Sequence, residues 1–305
     1  MTDAPACSSL CNEPLPGTAK AVGVVVALEF LHGWGRDVLD GEALGEELAA
    51  AITAHLKPYK GSLQLIRKPG KAGQHRAKRR LYLIFPHLEN PTIERYDVDG
   101  PADLLDFDLS GPGRNTTKNG GTIINHPLLL VCTHGKRDKC CAVNGRPVAA
   151  AIQSCFYGDE VWESSHTKGH RFAPSMLLFP WGYSYGRLNA HAATDVLKYA
   201  VRGEMFLPGN RGRGIYSAPC QVAEIVVANK LVAQGQAVTP GSLKVTGGID
   251  KDNKNLAHAT VTHPDGRAWT VTLETRQVEG VIASCGQEPK TGSAWVATHT
   301  EPVTN

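Results

Sequence analysis

The sequence predicts an α/β fold over most of its length, followed by a smaller C-terminal α+β region. Two observations carry this. Apolar segments of strand length alternate with helical periodicity between residues 19 and 203, and strand, helix, strand alternation builds a layered α/β arrangement. After the glycine-rich stretch Gly209–Gly214 the pattern becomes one helix and then a β meander. A chain of 305 residues, 42% hydrophobic, is long enough to bury a substantial core as one large or two modest domains. We place the boundary between residues 1–215 and 216–305.

Residues 1–17 hold Cys7, Cys11, three prolines and Gly17, and read as an irregular arm. Ala19–Phe30 is a Val-rich buried strand, closed by His32, Gly33, Trp34 and Gly35. A helix opens at Asp40/Gly41 and runs to Leu56, with Leu44, Leu48, Ile52 and Leu56 in an i, i+4 stripe. Ser62–Ile66 and Leu81–Phe85 are short strands. The five aspartates between 97 and 108 read as a solvated acidic turn, because the glycine and glutamate of a Ca²⁺ loop are missing. Gly111–Gly121 is a loop without the Gly-Lys-Ser/Thr ending of a phosphate-binding loop.

Leu128–Val131 is a buried strand that runs straight into Cys132, and Arg146–Cys155 reads as a helix with Pro147 in its first turn. Glu160–Ser164 and Phe172–Phe179 are strands, Trp181–Leu188 a turn and short strand, and a helix begins at Asp195 and ends near Gly203. The halves of residues 18–205 share a strand-then-helix rhythm, too weak in sequence to define a repeat. Gly209–Gly214 reads as a flexible basic hinge. Gln221–Gln234 is a helix, followed by strands at Leu243–Thr246, Ala257–Thr262 and Trp269–Thr275, the last two joined by the turn His263–Gly266.

Charge is nearly balanced, 32 basic against 29 acidic residues, which is not the usual footprint of a nucleic-acid binder. Its distribution is uneven: Lys57–Arg80 carries nine Lys and Arg and no acidic residue. Such a run is either a solvated loop or a docking face for an acidic partner. The opening segment lacks the basic and apolar regions of a signal peptide, and the apolar run Ala21–Leu31 is short and interrupted by Glu29. We therefore expect a cytoplasmic protein without a membrane span. In that compartment thiols stay reduced, so the eight cysteines point to metal ligands, redox groups or packing before disulfides.

Two stretches concentrate chemistry. Val131–Cys141 holds Cys132, Cys140 and Cys141; Ser165–Arg171 holds His166 and His170. Singly, a buried Cys is a small hydrophobe and a lone His a structural residue. Together they form a donor set of thiolate and imidazole, suited to soft and borderline metals. The C-x8-C spacing is wide for structural zinc, and His166-x3-His170 lacks the Glu after the first His that a helical zinc site uses. A wide loop suits a larger object, such as an iron–sulfur cluster. The strand–Cys–helix order is also how thioredoxin-like folds present sulfur, near a helix N-terminus that favours thiolate.

The segment Cys132–Cys141 followed by Asn144-Gly-Arg-Pro147, the segment Val161–Pro174, and Tyr185-Gly-Arg-Leu188 resemble the sucrase/ferredoxin-like family. Cys7-Ser-Ser and Pro16–Ala19 add to the likeness, which covers roughly residues 5–215. The resemblance implies a thioredoxin-like ferredoxin fold and one [2Fe-2S] cluster held by Cys132, Cys141, His166 and His170. It favours Cys141 over its neighbour Cys140, which spacing alone does not separate. It also implies electron transfer rather than catalysis; no carboxylate pair supports a glycosidase. With two neutral imidazoles replacing two thiolates, the centre is less negative and its potential higher. A ring N–H on each ligand His is expected to couple electron transfer to protonation.

Lys136, Arg137, Lys139, Lys168 and Arg171 flank the ligands and are placed to offset cluster charge, although Arg137 and Asp138 equally suit an ion pair. Cys7 and Cys11, at C-x3-C spacing, have no further ligand nearby in sequence; Cys155, Cys220 and Cys285 read as packing residues. Two other functions stay open: a thiol-dependent oxidoreductase using Cys132 or the Cys140/Cys141 pair, against which the chain lacks C-x2-C, and a structural Cys2His2 zinc protein. The expected partner is a redox protein, acidic where it meets Lys57–Arg80.

Overall fold

The computed structural model describes residues 7–70 and 76–303. A one-turn helix α1 (Cys7–Leu10) precedes β1 (Val25–Glu29), α2 (Glu46–Leu56), β2 (Ser62–Arg67), β3 (Arg79–Phe85), β4 (Thr92–Val98), α3 (Thr116–Asn119) and β5 (Thr122–Ile123). Next come β6 (Leu128–Cys132), α4 (Lys139–Gln153), β7 (Val161–Ser164), β8 (Ser175–Phe179), β9 (Tyr183–Gly186), α5 (Ala190–Val201) and β10 (Asn210–Arg213). The remainder is α6 (Ala218–Ala233) and the meander β11 (Lys244–Ile249), β12 (Leu256–Thr262), β13 (Ala268–Val281) and β14 (Lys290–Pro302). The α/β class with a separate antiparallel sheet is as the sequence indicates.

The first ten strands form one mixed sheet in the order β10-β9-β8-β6-β7-β2-β1-β3-β4-β5. Its pairing contains a repeat that the sequence conceals. β1 is parallel to β2 and antiparallel to β3, which is antiparallel to β4. In the same way β6 is parallel to β7 and antiparallel to β8, which is antiparallel to β9. The halves meet through β2 and β7, antiparallel at Ile66↔Ser164 and Arg67↔Glu163. The C-terminal ends of these strands thus overlap at the centre of the sheet, and the loops leaving them gather there.

Alternation sorts the strand side chains onto two faces. On one, Ile52 and Leu56 of α2 pack with Val26, Leu28, Leu63 and Leu65, while Val148 and Ile152 of α4 pack with Leu129, Val131 and Val161. On the other, Val25, Ala27, Tyr82 and Ile84 from the first half join Leu130, Trp162, Leu177 and Phe179 from the second in one apolar layer. α6 lies in the same cluster as α4 and α5 and extends it to Val245, Ala257, Val261 and Leu273 of the four-stranded sheet.

The hairpin β13–β14 outruns that sheet. β12 pairs with β13 only from Ala268 to Glu274, whereas β14 follows β13 as far as Val281↔Lys290. Beyond Glu274 the hairpin is a two-stranded ribbon, and it carries the loop after Val281 back to the large sheet.

Two expectations are corrected. Gly209–Gly214 is no hinge: Asn210–Arg213 is the edge strand β10, with Arg211 at 1% and Arg213 at 0% exposure. Their guanidinium groups are satisfied inside the protein. Arg211 donates to the carbonyl and hydroxyl of Thr18 and to Ser175 Oγ; Arg213 donates to the carbonyls of Trp181, Gly241 and His87. The helix expected from Arg146 begins at Lys139, because Asp138 caps it by accepting the Cys140 N–H at 2.9 Å; Pro147 therefore lies mid-helix. In the acidic stretch, Asp97 belongs to β4 and pairs with Arg80.

The basic run is largely engaged within the chain. Arg67 pairs with Glu163, Arg76 with Asp159 and Glu29, Lys78 with Asp99, and Arg80 with Asp97 and Asp159. Lys68 is buried, donating to the Gly158 and Val161 carbonyls and stacked on Trp162. Lys71 lies outside the described residues. Among the described residues no helix is long and apolar enough to cross a membrane.

Candidate metal centre

Cys132 is the last residue of β6 and fully buried. Its partner across the parallel β6–β7 pair is Ser164, and Thr133 N–H donates to the Ser164 carbonyl at 3.0 Å. The chain leaving β7 therefore passes directly beside the chain leaving β6. That chain turns back through Lys168, which has φ 58, and His170 opens a single 3₁₀ turn. The reversal sets His170 Nδ1 3.3 Å from His166 Nε2.

Cys141 comes from the first turn of α4. The helix is pressed against Cys132 at Gly145, where an added Cβ would lie 2.0 Å from the Cys132 carbonyl oxygen. Only a glycine lets the backbones approach this closely. The result is a compact group in which ligand atoms of Cys132, Cys141 and His166 lie within 4.8 Å of one another. His170 stands against it through His166. Burial works against a charge on Cys132, but hydrogen bonds from Cys141 and His166 outweigh it and hold Cys132 well below the usual thiol range. Cys141 is pushed up by its hydrogen bond to Cys132 and by burial. The hydrogen bonding thus favours charge on Cys132 before Cys141.

Cys140 faces elsewhere. Its sulfur lies 3.4 Å from that of Cys7 and 3.0 Å from that of Cys285. Cys285 accordingly is not a packing residue without partners, which corrects the reading from spacing. Cys155 is exposed and Cys220 buried in the core.

Three supporting features escaped the sequence reading. His134 Nδ1 accepts the His166 backbone N–H at 3.1 Å, so the proton sits on Nε2, which donates to the Gly35 carbonyl at 2.6 Å. Burial lowers the pKa of His134 and keeps it neutral in that tautomer. The hairpin loop after β13 caps the second histidine: His170 Nε2 meets the Ala283 carbonyl, and Ser284 Oγ at 2.7 Å. Asp138 ties this loop down by accepting the Cys285 N–H at 3.0 Å, so its carboxylate serves two backbone amides. The flanking cations are also anchored: Arg171 on Glu13, Lys136 on Glu42 and Lys168 on Asp37. Only the flanking motif around Cys132 carried a signal for His134; nothing local marked the loop at 283–285.

The donors fit a bound metal centre. Two imidazole nitrogens facing each other at 3.3 Å hold at most one proton between them. Among the described residues His166 Nδ1 is buried without a partner. A ligating His normally gives its second N–H to a carbonyl, as His170 is placed to do toward Ala283. Beside His166 a cavity of about 240 Å³ opens between Lys20, Asp37, Lys60, Gln64 and Lys168. Burial and the neighbouring Lys168 charge lower the pKa of Lys20.

The fold and site define a class: an α/β protein that collects thiol and imidazole donors where two parallel strand ends meet. The sequence profile of the sucrase/ferredoxin-like family matches residues 15–213, and the chain belongs to that family. Comparison with the curated proteins and with the solved structures finds no match.

Proposed function

We propose that the chain is an electron-transfer protein whose [2Fe-2S] cluster is held by Cys132, Cys141, His166 and His170. The observation that carries this is the convergence of the C-x8-C and H-x3-H loops, with Cys132, Cys141 and His166 donors within 4.8 Å and His170 Nδ1 facing His166 Nε2. Membership of a ferredoxin-like family supports it. Such a cluster supplies one-electron chemistry, with two neutral imidazole ligands raising the potential over an all-thiolate site. The protein's own contribution is to bury the donors, fix their directions and hold a proton. His170 keeps that proton on Nε2, against the Ala283 carbonyl and Ser284. Losing it places negative charge beside the site, so electron gain and proton gain favour each other.

The cavity beside His166 gives a partner a docking point next to the site. Lys60, from the basic run, stands there with Lys20 and Lys168, and their field suits an acidic redox protein. Reduced thiols in a cytoplasmic setting complete the reading.

The deciding experiment is anaerobic purification of the full chain. We expect red-brown protein with two irons and two sulfides per chain, whose reduction potential falls as pH rises over an accessible range. A colourless chain with zinc and no iron at this site ends the proposal in favour of structural zinc. Colourless, metal-free protein with thiol turnover favours the oxidoreductase instead. A flat potential with intact cluster removes the proton coupling alone.

A further inference from the structure

Three cysteines outside the first donor set meet next to it, from three distant parts of the chain. Cys7 lies on α1, Cys140 in the first turn of α4 and Cys285 on the loop after β13. Cys140 Sγ is 3.4 Å from Cys7 Sγ and 3.0 Å from Cys285 Sγ, and the Cys7 N–H points at Cys285 Sγ at 3.5 Å. Asp138 joins them, and one ligand atom from each of the four lies within 4.8 Å of the others. Ala173 and Ile282 wall the group with apolar surface.

Packing does not account for this. A single buried thiol serves as a small hydrophobe, but Cys7 and Cys285 are 278 residues apart and are brought together at a third sulfur. Between neutral thiols such contacts offer only weak S–H hydrogen bonds. All eight cysteines are free, and 3.0 Å is well beyond the roughly 2.05 Å of a disulfide. Sulfurs each about 2.3 Å from a tetrahedral zinc stand roughly 3.8 Å apart; the pairs at 3.4 and 3.0 Å are gathered closer than that and would open by about 0.4 to 0.8 Å around the ion. Three thiolates and a carboxylate are a borderline-to-soft set that zinc accepts. Asp138 is already directed, since the backbone amides of Cys140 and Cys285 both donate to it.

We propose that Cys7, Cys140, Cys285 and Asp138 form a second, mononuclear Zn²⁺ site. It ties the N-terminal arm and the β13–β14 loop to the start of α4. The same loop places Ala283 and Ser284 on His170, so the ion fixes the cap over the first centre. The proposal is independent of what the first centre holds.

The test uses full-length protein purified anaerobically from zinc-supplemented cells and passed through a weak chelator, with zinc and iron counted together. One zinc per chain is expected in the parent, lost in Cys7→Ser and in Cys285→Ser but retained in Cys132→Ser; iron stays in Cys7→Ser. If the first-centre reading fails, iron is missing throughout while Cys7→Ser and Cys285→Ser still lose one zinc relative to the parent, from a total of two where the first centre itself takes zinc. A parent without zinc, a zinc count indifferent to Cys7→Ser, or a Cys140–Cys285 disulfide in the intact mass overturns the proposal. Cobalt added in place of zinc gives a reading that does not depend on how the arm variants fold. Cys132→Ser should show thiolate-to-cobalt charge transfer with the intensity of three thiolates, and a spectrum without it also overturns the site.

Discussion

His134 Nδ1 accepts the backbone N–H of His166 at 3.1 Å, and this bond joins the cysteine loop to the histidine loop. Its other nitrogen reaches the Gly35 carbonyl, in the first-half loop that matches the cysteine loop by topology. The first half thus supplies a buttress where the second half supplies the candidate donors. His134→Ala leaves a buried N–H and a buried carbonyl unpaired, each costing about 1–3 kcal/mol. It also frees the His166 backbone, and loss of such supporting contacts weakens metal sites by roughly 10–100-fold. We expect a lower urea midpoint and faster iron loss to a chelator. Unchanged iron retention would show that His134 serves stability alone.

Gly145 sets the distance between Cys132 and Cys141. An Ala at this position has its Cβ 2.0 Å from the Cys132 carbonyl oxygen, so α4 must move off β6. Overpacking of this kind costs about 1–3 kcal/mol. Gly145→Ala should lose iron out of proportion to its change in stability. Ala150→Gly, at an exposed position of the same helix, costs about 1 kcal/mol of helix propensity and should keep its iron. Equal iron content in the two variants at matched stability would refute the positioning role.

Exchanging His166 or His170 for Cys adds a thiolate where a neutral imidazole stood. The proposed cluster should survive with an altered visible spectrum and a potential lower by on the order of 100 mV or more. His170→Cys should also flatten the dependence of potential on pH, because the proton facing Ala283 is gone. Redox titration at several pH values reads both effects. A potential that rises, or keeps its full pH slope, contradicts the assignment of His170.

What was legible in the chain followed from local chemistry. Leu128–Val131 announces a buried strand, and a strand ending in Cys132 beside an H-x3-H loop announces a site. Topology was hidden because only the strand pairing repeats: the first-half loops, residues 30–45 and 68–78, carry no cysteine. Arg211 and Arg213 looked like a solvated hinge because glycines flank them. They are buried because backbone and hydroxyl oxygens from distant segments meet their donors, a fact no local window contains. Cys285 was illegible for a related reason. The alternation of β13 fades after Glu274, where β12 no longer covers it and the ribbon is half exposed on both faces. The ribbon's tip finds its partners only in the folded chain.

Glu224, in α6, gives the protein a pH dependence separate from its proposed metal sites. Its Oε1 accepts the Tyr183 O–H at 2.6 Å, while Oε2 is buried without a partner among the described residues. Burial pushes its pKa up from 4.5 to about 7, against the pull of that hydrogen bond and of Arg213. The folded carboxyl therefore keeps a proton between these values that the unfolded chain has released. Stability from this group is fully present below pH 4.5 and is lost as pH rises through about 7. The slope within the window is about 1.4 kcal/mol per pH unit, for a total on the order of 3 kcal/mol. Glu224→Gln keeps an acceptor for Tyr183 and places a neutral group where the proton sat. Its denaturation midpoint relative to the parent should rise between pH 5 and pH 8. Parallel midpoint curves for the two proteins would mean that Glu224 is charged in the folded state throughout.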